Sequence, residues 1–390
     1  MLMSPGSVRP RLRFLDASRG LTMIFVLLSH FGLVYFTAPE QQTWRAILVR
    51  VGMVATPTFV ILSGVVLGVQ HYMSRASFGR IKARYIDRGL FLLLFGHLVI
   101  KLAIQRFEHG GSELYITDVI GVAMILGGVL VPRLGTWFRL SLSVVIYVGS
   151  WLTVYFWQPA ALSSETIKEL LFGSLTPTIL LGVSFPVAPW FALYLASSVL
   201  GERLADMAQS GSIRRSWSEL ALCGACGVSA TIGIKLVALQ LGLSHLMGHV
   251  TTALLRVGQK WPPAPLYLMF YGGVGLLLMS GCLAAEKRQW CRRMFSGAAI
   301  CGEASLFVFL AHFYLYYLGL YRLGPGGPAS GLVYFILSTT ALVVAAHVWQ
   351  GQALNRIFTV RFPAAYERLP GSVRRLRMDS VPVLWAEQPR

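Results

Sequence analysis

An all-α polytopic membrane protein of about ten transmembrane helices, with both termini in the cytoplasm, is the fold this sequence predicts. Three observations lead there. Of 390 residues, 55% are hydrophobic and 13% charged, at a mean hydropathy of +0.62; a soluble chain of this size needs more charge to cover its surface. The apolar residues form long continuous runs rather than period-two alternation, which selects helices over a closed barrel as the way to satisfy backbone groups in lipid. The Lys and Arg residues behind the net charge of +18 cluster in short segments between those runs. That placement fits cytoplasmic loops and argues against a nucleic-acid partner.

The elements follow in order. The chain opens on basic residues before an apolar run at 20–37, which imitates a signal peptide. No small-x-small cleavage site precedes polar sequence, and further spans follow, so this run reads as a retained first helix. Asp16 or Ser18 can cap it, and Asp16 lies one turn from Arg13 and Arg19. Further spans are expected at 51–71, 89–105, 116–131, 139–157, 179–200, 219–241, 265–284, 303–321 and 331–349. Several are near the short limit for a hydrocarbon core of about 30 Å. The apolar stretch 169–185 adds either a re-entrant segment or an eleventh span. With the N-terminus inside, the inner segments hold 25 Lys and Arg and the outer segments 8, a bias that fixes the expected orientation. One membrane domain, 1–349, and a basic cytoplasmic tail, 350–390, along the anionic inner leaflet account for the chain. Cys223, Cys226, Cys282, Cys291 and Cys301 lie in or beside apolar segments, and the CxxC at 223–226 lacks the further ligands a metal site needs, so no metal is expected.

The chemistry-bearing residues start with His30. Eleven residues past Arg19, it lies about 16 Å further along a helix, near the bilayer midplane. An imidazole there needs a partner or a wet cavity, and it is the side chain that exchanges a proton near neutral pH. The alternatives are a functional base or a hydrogen bond to a neighbouring helix. Pro57 frees a carbonyl within the second span, and Ser63 and Gly64 permit close helix contact. Lys235 either snorkels or pairs; His97 and His347 read as structural; His245 and His249 lie near the outer surface.

Arg13-x-x-Asp16-x-x-Arg19-Gly20 leading to His30, followed by Thr56-Pro57-Thr58-Phe59-Val60-Ile61-Leu62-Ser63-Gly64, resembles the opening of the transmembrane acyltransferases. Later segments favour the heparan-α-glucosaminide N-acetyltransferase-like branch over the related acyltransferase 3 branch. These are Asp118-Val119-Ile120-Gly121, Phe185-Pro186-Val187-Ala188-Pro189-Trp190, Lys260-Trp261-Pro262-Pro263, and Gly302-Glu303-Ala304-Ser305-Leu306-Phe307 running to His312. Trp261 stands where Tyr is usual, and Glu303 where a basic residue is common. The matching histidine is catalytic in the acyltransferase 3 branch; the eukaryotic glucosaminide enzymes carry theirs in the loop after helix one, and here 37–50 has none.

The resemblance implies transfer of an acyl group, acetyl foremost, from cytoplasmic acyl-CoA to a hydroxyl or amine of a glycan, lipid or other envelope acceptor. Acyl-CoA enters as co-substrate, with no permanently bound cofactor. The implied location is the cytoplasmic (inner) membrane of a bacterium, with membrane lipid as a partner. His30 is then the general base, with Asp16 and His312 as candidate catalytic partners, although Asp16 with Arg19 suits structural support and His312 either faces His30 or bonds a carbonyl. Arg13, Arg19, Arg80, Arg84 and Arg88 can hold the CoA phosphates; for the 80–88 loop the competing role is membrane orientation. Trp190, an interfacial anchor or a sugar-stacking platform, and Lys260, at the outer mouth, are the candidate acceptor contacts. The rival from another class is a transporter or flippase.

Overall fold

The structure, a computed structural model, describes residues 12–74, 78–104, 114–175, 185–242, 249–286, 292–324, 326–352, 354 and 358. Among the described residues, each of the ten predicted spans falls mainly on helix. They are α1 (Arg13–Tyr35); α3 (Ala55–Met73), preceded by the shorter α2 (Gln42–Gly52); α4 (Phe78–Phe91), continuing through a π turn, Leu92–Gly96, into α5 (His97–Ile104); α6 (Ile116–Leu130); α7 (Thr136–Phe156); α9 (Val187–Gln209) and α10 (Ile213–Gln240). Next come a π turn, Leu268–Gly272, leading into α12 (Gly273–Ala285); α13 (Arg292–Glu303) and α14 (Ser305–Phe313), extended by a third π turn, Tyr314–Gly319; and α15 (Pro328–Gly351). Two short helices, α8 (Leu162–Leu171) and α11 (His249–Leu254), lie in the long connections. Among the described residues there is no strand, only one isolated bridge between Lys260 and Pro263.

Among the described residues, seven helical stretches are long and apolar enough to cross a membrane. The protein is therefore an all-α polytopic membrane protein. The stretch 169–185 begins on the last turn of α8, and 176–184 lie outside the described residues, as does nearly all of the 350–390 tail.

Prolines mark where helices begin. Pro57, Pro189, Pro265 and Pro328 all sit in the first turn of their helices, where a missing N–H costs nothing and the fixed φ is already helical. Pro57 thus lies near the start of its helix rather than in mid-span, and the carbonyl it frees, that of Met53 four residues before, accepts from the Tyr267 hydroxyl at 3.0 Å. The cap expected from Asp16 or Ser18 is also absent. Helix α1 starts earlier, after Leu12, and the Ser18 hydroxyl instead donates to the Phe14 carbonyl at 2.7 Å.

Two glycine contacts set the frame of the bundle. A Cβ on Gly20 would stand 1.8 Å from the Ala298 carbonyl oxygen, and one on Gly302 would stand 1.7 Å from that of Asp16. Helices α1 and α13 therefore touch backbone to backbone, the contact that small residues allow between helices in lipid. Gly64, Gly68 and Gly201 do the same for α3 and α9. With Gly20 and Gly302 in register, Arg19 and Glu303 share one level, and His30 and His312 share another about 14–16 Å further on.

Candidate functional site

A cavity of about 490 Å³ lies between α1, α3, α4, α6 and α14, within the roughly 300–1,000 Å³ of small-molecule sites. Arg19, His30 and Leu33 of α1 all line it, as do Thr56, Ser63 and Gln70 of α3. Fourteen residues separate the first and last of each set, so the cavity follows both helices for about 21 Å. One end carries Arg19, Arg84 and Arg88 together with Glu303; the other carries Tyr115, Thr117, Phe185, Lys260 and Trp261. His30 lies between them. Its middle walls are apolar, with Met23, Val26, Phe59 and Phe313 among them.

His30 is held from the side of α14 and its π extension. Its Nδ1 is 3.0 Å from the Tyr317 hydroxyl, and its ring meets His312 edge-on at 4.8 Å and Phe313 at 5.0 Å between centroids. With Nδ1 engaged by Tyr317, Nε2 is the nitrogen left for chemistry. For Nε2 to accept a proton, Nδ1 must carry hydrogen and donate it to the Tyr317 oxygen; in the opposite tautomer Nδ1 accepts from Tyr317 and Nε2 carries the hydrogen. His312 is fully buried, with its ring turned toward the Val308 and Phe309 carbonyls of its own helix. It backs His30 rather than lining the cavity, so the two predicted histidines do meet across the bundle, one exposed to the cavity and one behind it.

The arginine end arises because α4 starts well before its apolar stretch. The segment 80–88, expected as a loop, is helical from Phe78. Four-residue spacing then puts Arg84 and Arg88 on one face, and both line the cavity with Arg19 and Gln70. The Arg80 side chain lies outside the described residues. Arg13 is exposed on the first turn of α1, and Asp16 is buried in that turn among the contacts with α13.

At the other end a tightly tied loop presents Lys260. The Ala264 N–H donates to the Gln259 carbonyl at 2.9 Å, and the Pro263 carbonyl accepts from the Tyr147 hydroxyl at 2.8 Å and the Trp151 indole at 3.3 Å. The Lys260 ammonium stands 4.8 Å from the Phe185 ring centre and 5.1 Å from that of Trp261, close enough for a cation–π contact with each. Partial withdrawal from water in this half-buried place, without a described acidic neighbour, pushes its pKa down to about 7. Trp190 is fully buried behind Phe185, with ring centres 6.1 Å apart, and acts there as packing.

A model of the heparan-alpha-glucosaminide N-acetyltransferase catalytic domain matches residues 11–234, more than half of the chain. The chain belongs to this family. Membership makes it a membrane acetyltransferase in general class, and acetyltransferases of this family use acetyl-CoA as co-substrate. The match takes in Arg19, His30, Arg84, Arg88 and Trp190 and stops short of Lys260 and His312. No curated protein matches the chain.

Other polar contacts are invisible in the sequence. Tyr317 is one. His97, read as structural, pairs with the buried Asp118 at 2.8 Å, and the same carboxylate oxygen accepts the Tyr115 N–H at 2.8 Å. This ties α5 to the start of α6. Glu202 of α9 joins His71 of α3, at 2.6 Å, to Arg139 of α7. Spacings of 21 residues for the first pair and 131 and 63 for the second give no local signal.

Proposed function

We propose that this family member moves an acyl group, acetyl foremost, from acyl-CoA held at the arginine end to a hydroxyl or amine of a glycan, lipid or other envelope acceptor entering from the lysine end. The arginine end faces the cytoplasm in this reading, as the distribution of Lys and Arg requires, and the membrane is the bacterial cytoplasmic membrane. One observation carries the reading: a single cavity lined by three arginines at one end, Lys260 at the other and His30 between. Arg19, Arg84 and Arg88 offer planar donors matched to phosphate oxygens. An extended pantetheine arm laid against the apolar walls then brings the thioester to His30.

His30 Nε2 takes the proton from the acceptor as its oxygen or nitrogen attacks the thioester carbonyl, while Nδ1–H donates to Tyr317 and steadies the imidazolium that forms. The thiol of CoA leaves with a proton returned from His30, so the ring ends as it began. His312 positions the His30 ring. The test is consumption of radiolabelled acetyl-CoA by membranes containing the protein. His30→Ala should lower turnover by about 10²–10⁴-fold at unchanged expression. Uptake of an acceptor with the thioester left intact would contradict acyl transfer and indicate transport.

A further inference from the structure

The last turn of α15, and a residue beyond it, reach the arginine end of the cavity. Phe358, seven residues past Gly351, lines the cavity together with Phe91, Leu306 and Phe309. Two rings hold it there. Its centroid is 5.2 Å from that of Trp349, stacked at 21°, and 5.4 Å from that of Phe91. Trp349 stacks in turn on Phe307 of α14, at 4.3 Å and 17°. The next residue, Gln350, braces the same end through its side-chain amide, which donates to the Glu303 carboxylate at 3.0 Å and to the Ile300 carbonyl at 2.9 Å. Glu303 lines the cavity as well. Two consecutive side chains of α15 thus fix one apolar and one polar residue of its wall.

Phe91 follows Arg88 by three residues, so the Phe358 ring stands beside a side chain one helical turn from that arginine. It also packs against the apolar cluster that holds Leu310 and Phe313, and the Phe313 ring meets His30. We infer that Phe358, held by Trp349, is a wall on which the pantetheine arm of the acyl donor packs, so that the segment after α15 completes the donor site. This rests on the acyltransferase reading above and adds to it a donor-binding residue outside the family match, which ends at residue 234. A donor with its phosphates on the arginines and its thioester at His30 must lay its arm along what lies between. The quaternary carbon of that arm and its two methyl groups are apolar and bulky, and an aromatic ring removes them from water. Ordering a residue so far beyond its helix costs conformational entropy; a ring that merely covered α15 would have no need to open on the cavity.

Two probes separate the arm from the phosphates. Acetyl-CoA carries both, and adenosine 3′,5′-bisphosphate carries the phosphates without the arm. Equilibrium binding of each radiolabelled probe is measured on the full chain in phosphatidylcholine nanodiscs. Phe358→Ala should weaken acetyl-CoA by about tenfold, as loss of one ring's apolar contact implies, and leave the bisphosphate within about twofold. Phe358→Leu, which keeps apolar bulk, should recover most of the loss. Trp349→Leu leaves the Phe358 side chain in place and removes its platform, so it should give the same selective loss at about three- to tenfold. Added to Phe358→Ala it should cost acetyl-CoA little more, because the two residues act through one contact.

Equal weakening of both probes, with a lowered melting temperature, would overturn the inference and make Phe358 and Trp349 packing residues. So would acetyl-CoA binding that neither variant alters, which would route the arm along another wall. Either result leaves the acyltransferase reading standing, since the unaltered chain still binds the donor. Failure of the unaltered chain to bind acetyl-CoA would sink that reading and this inference with it.

Discussion

Tyr317 fixes which nitrogen of His30 can act. Its hydroxyl, 3.0 Å from Nδ1, is positioned to accept from Nδ1–H and leave Nε2 as the proposed base. Tyr317→Phe keeps the ring and removes only that acceptor. The expected result is a turnover number lower by about ten- to hundredfold, the worth of one hydrogen bond to a group that becomes charged, with the KM for acetyl-CoA unchanged. A rise in KM alone would show that Tyr317 shapes the cavity instead. Lys260 yields a second prediction through its pKa of about 7. An unfolded lysine holds its proton to about pH 10.4, so between these values the unfolded chain binds more protons than the folded one, and stability rises with pH. Lys260→Met should therefore raise the melting temperature most at pH 6, with the gain shrinking toward pH 10; a gain constant with pH would contradict a half-buried amine whose pKa is lowered. Of these residues, His30 is legible in the sequence because an ionisable side chain inside an apolar run is costly without a purpose. Tyr317 is not. It follows His312 by five residues, about 140° away on an α-helix, and only the π turn Tyr314–Gly319 brings both to His30.

Among elements, the contact of α1 with α13 sets the register that levels His30 with His312. A side chain on Gly302 would meet a backbone oxygen at 1.7 Å, and backbone cannot swing aside as a side-chain tip does. Gly302→Leu should cost about 3 kcal/mol or more, read as a collapse of the detergent-solubilised melting temperature. Gly149→Ala on α7, where a Cβ meets nothing within 4 Å, should be neutral or slightly stabilising, and a comparable loss there would show that the effect is not steric. Helix positions were legible because apolar runs must be helical in lipid. Their ends were less so, since hydropathy reports where lipid begins and not where hydrogen bonding stops. That difference matters most at α4. It starts at Phe78, eleven residues before the apolar stretch beginning at 89, and it carries Arg84 and Arg88 to the cavity wall from what read as a loop.

For the whole molecule, donor and acceptor are proposed to meet along one passage rather than at two separate sites. Motifs at both ends were visible in the sequence, but their joining was not, because it depends on how α1, α3, α4, α6 and α14 pack side by side. Ser63 offers a test. It lines the cavity seven residues from Thr56 on one side and seven from Gln70 on the other, about 10 Å along α3 in each direction. Ser63→Trp places an indole across the middle while leaving the arginines, Lys260 and His30 unchanged in sequence. Two separate sites would lose at most one binding event. A single passage predicts that acetyl-CoA still protects a pulse-labelled arginine at one end and that acyl transfer falls at least about a hundredfold, because a displacement of about 1 Å between reacting groups already costs that much. Retained transfer in Ser63→Trp, with acetyl-CoA still binding, would mean that the acyl group travels by another route.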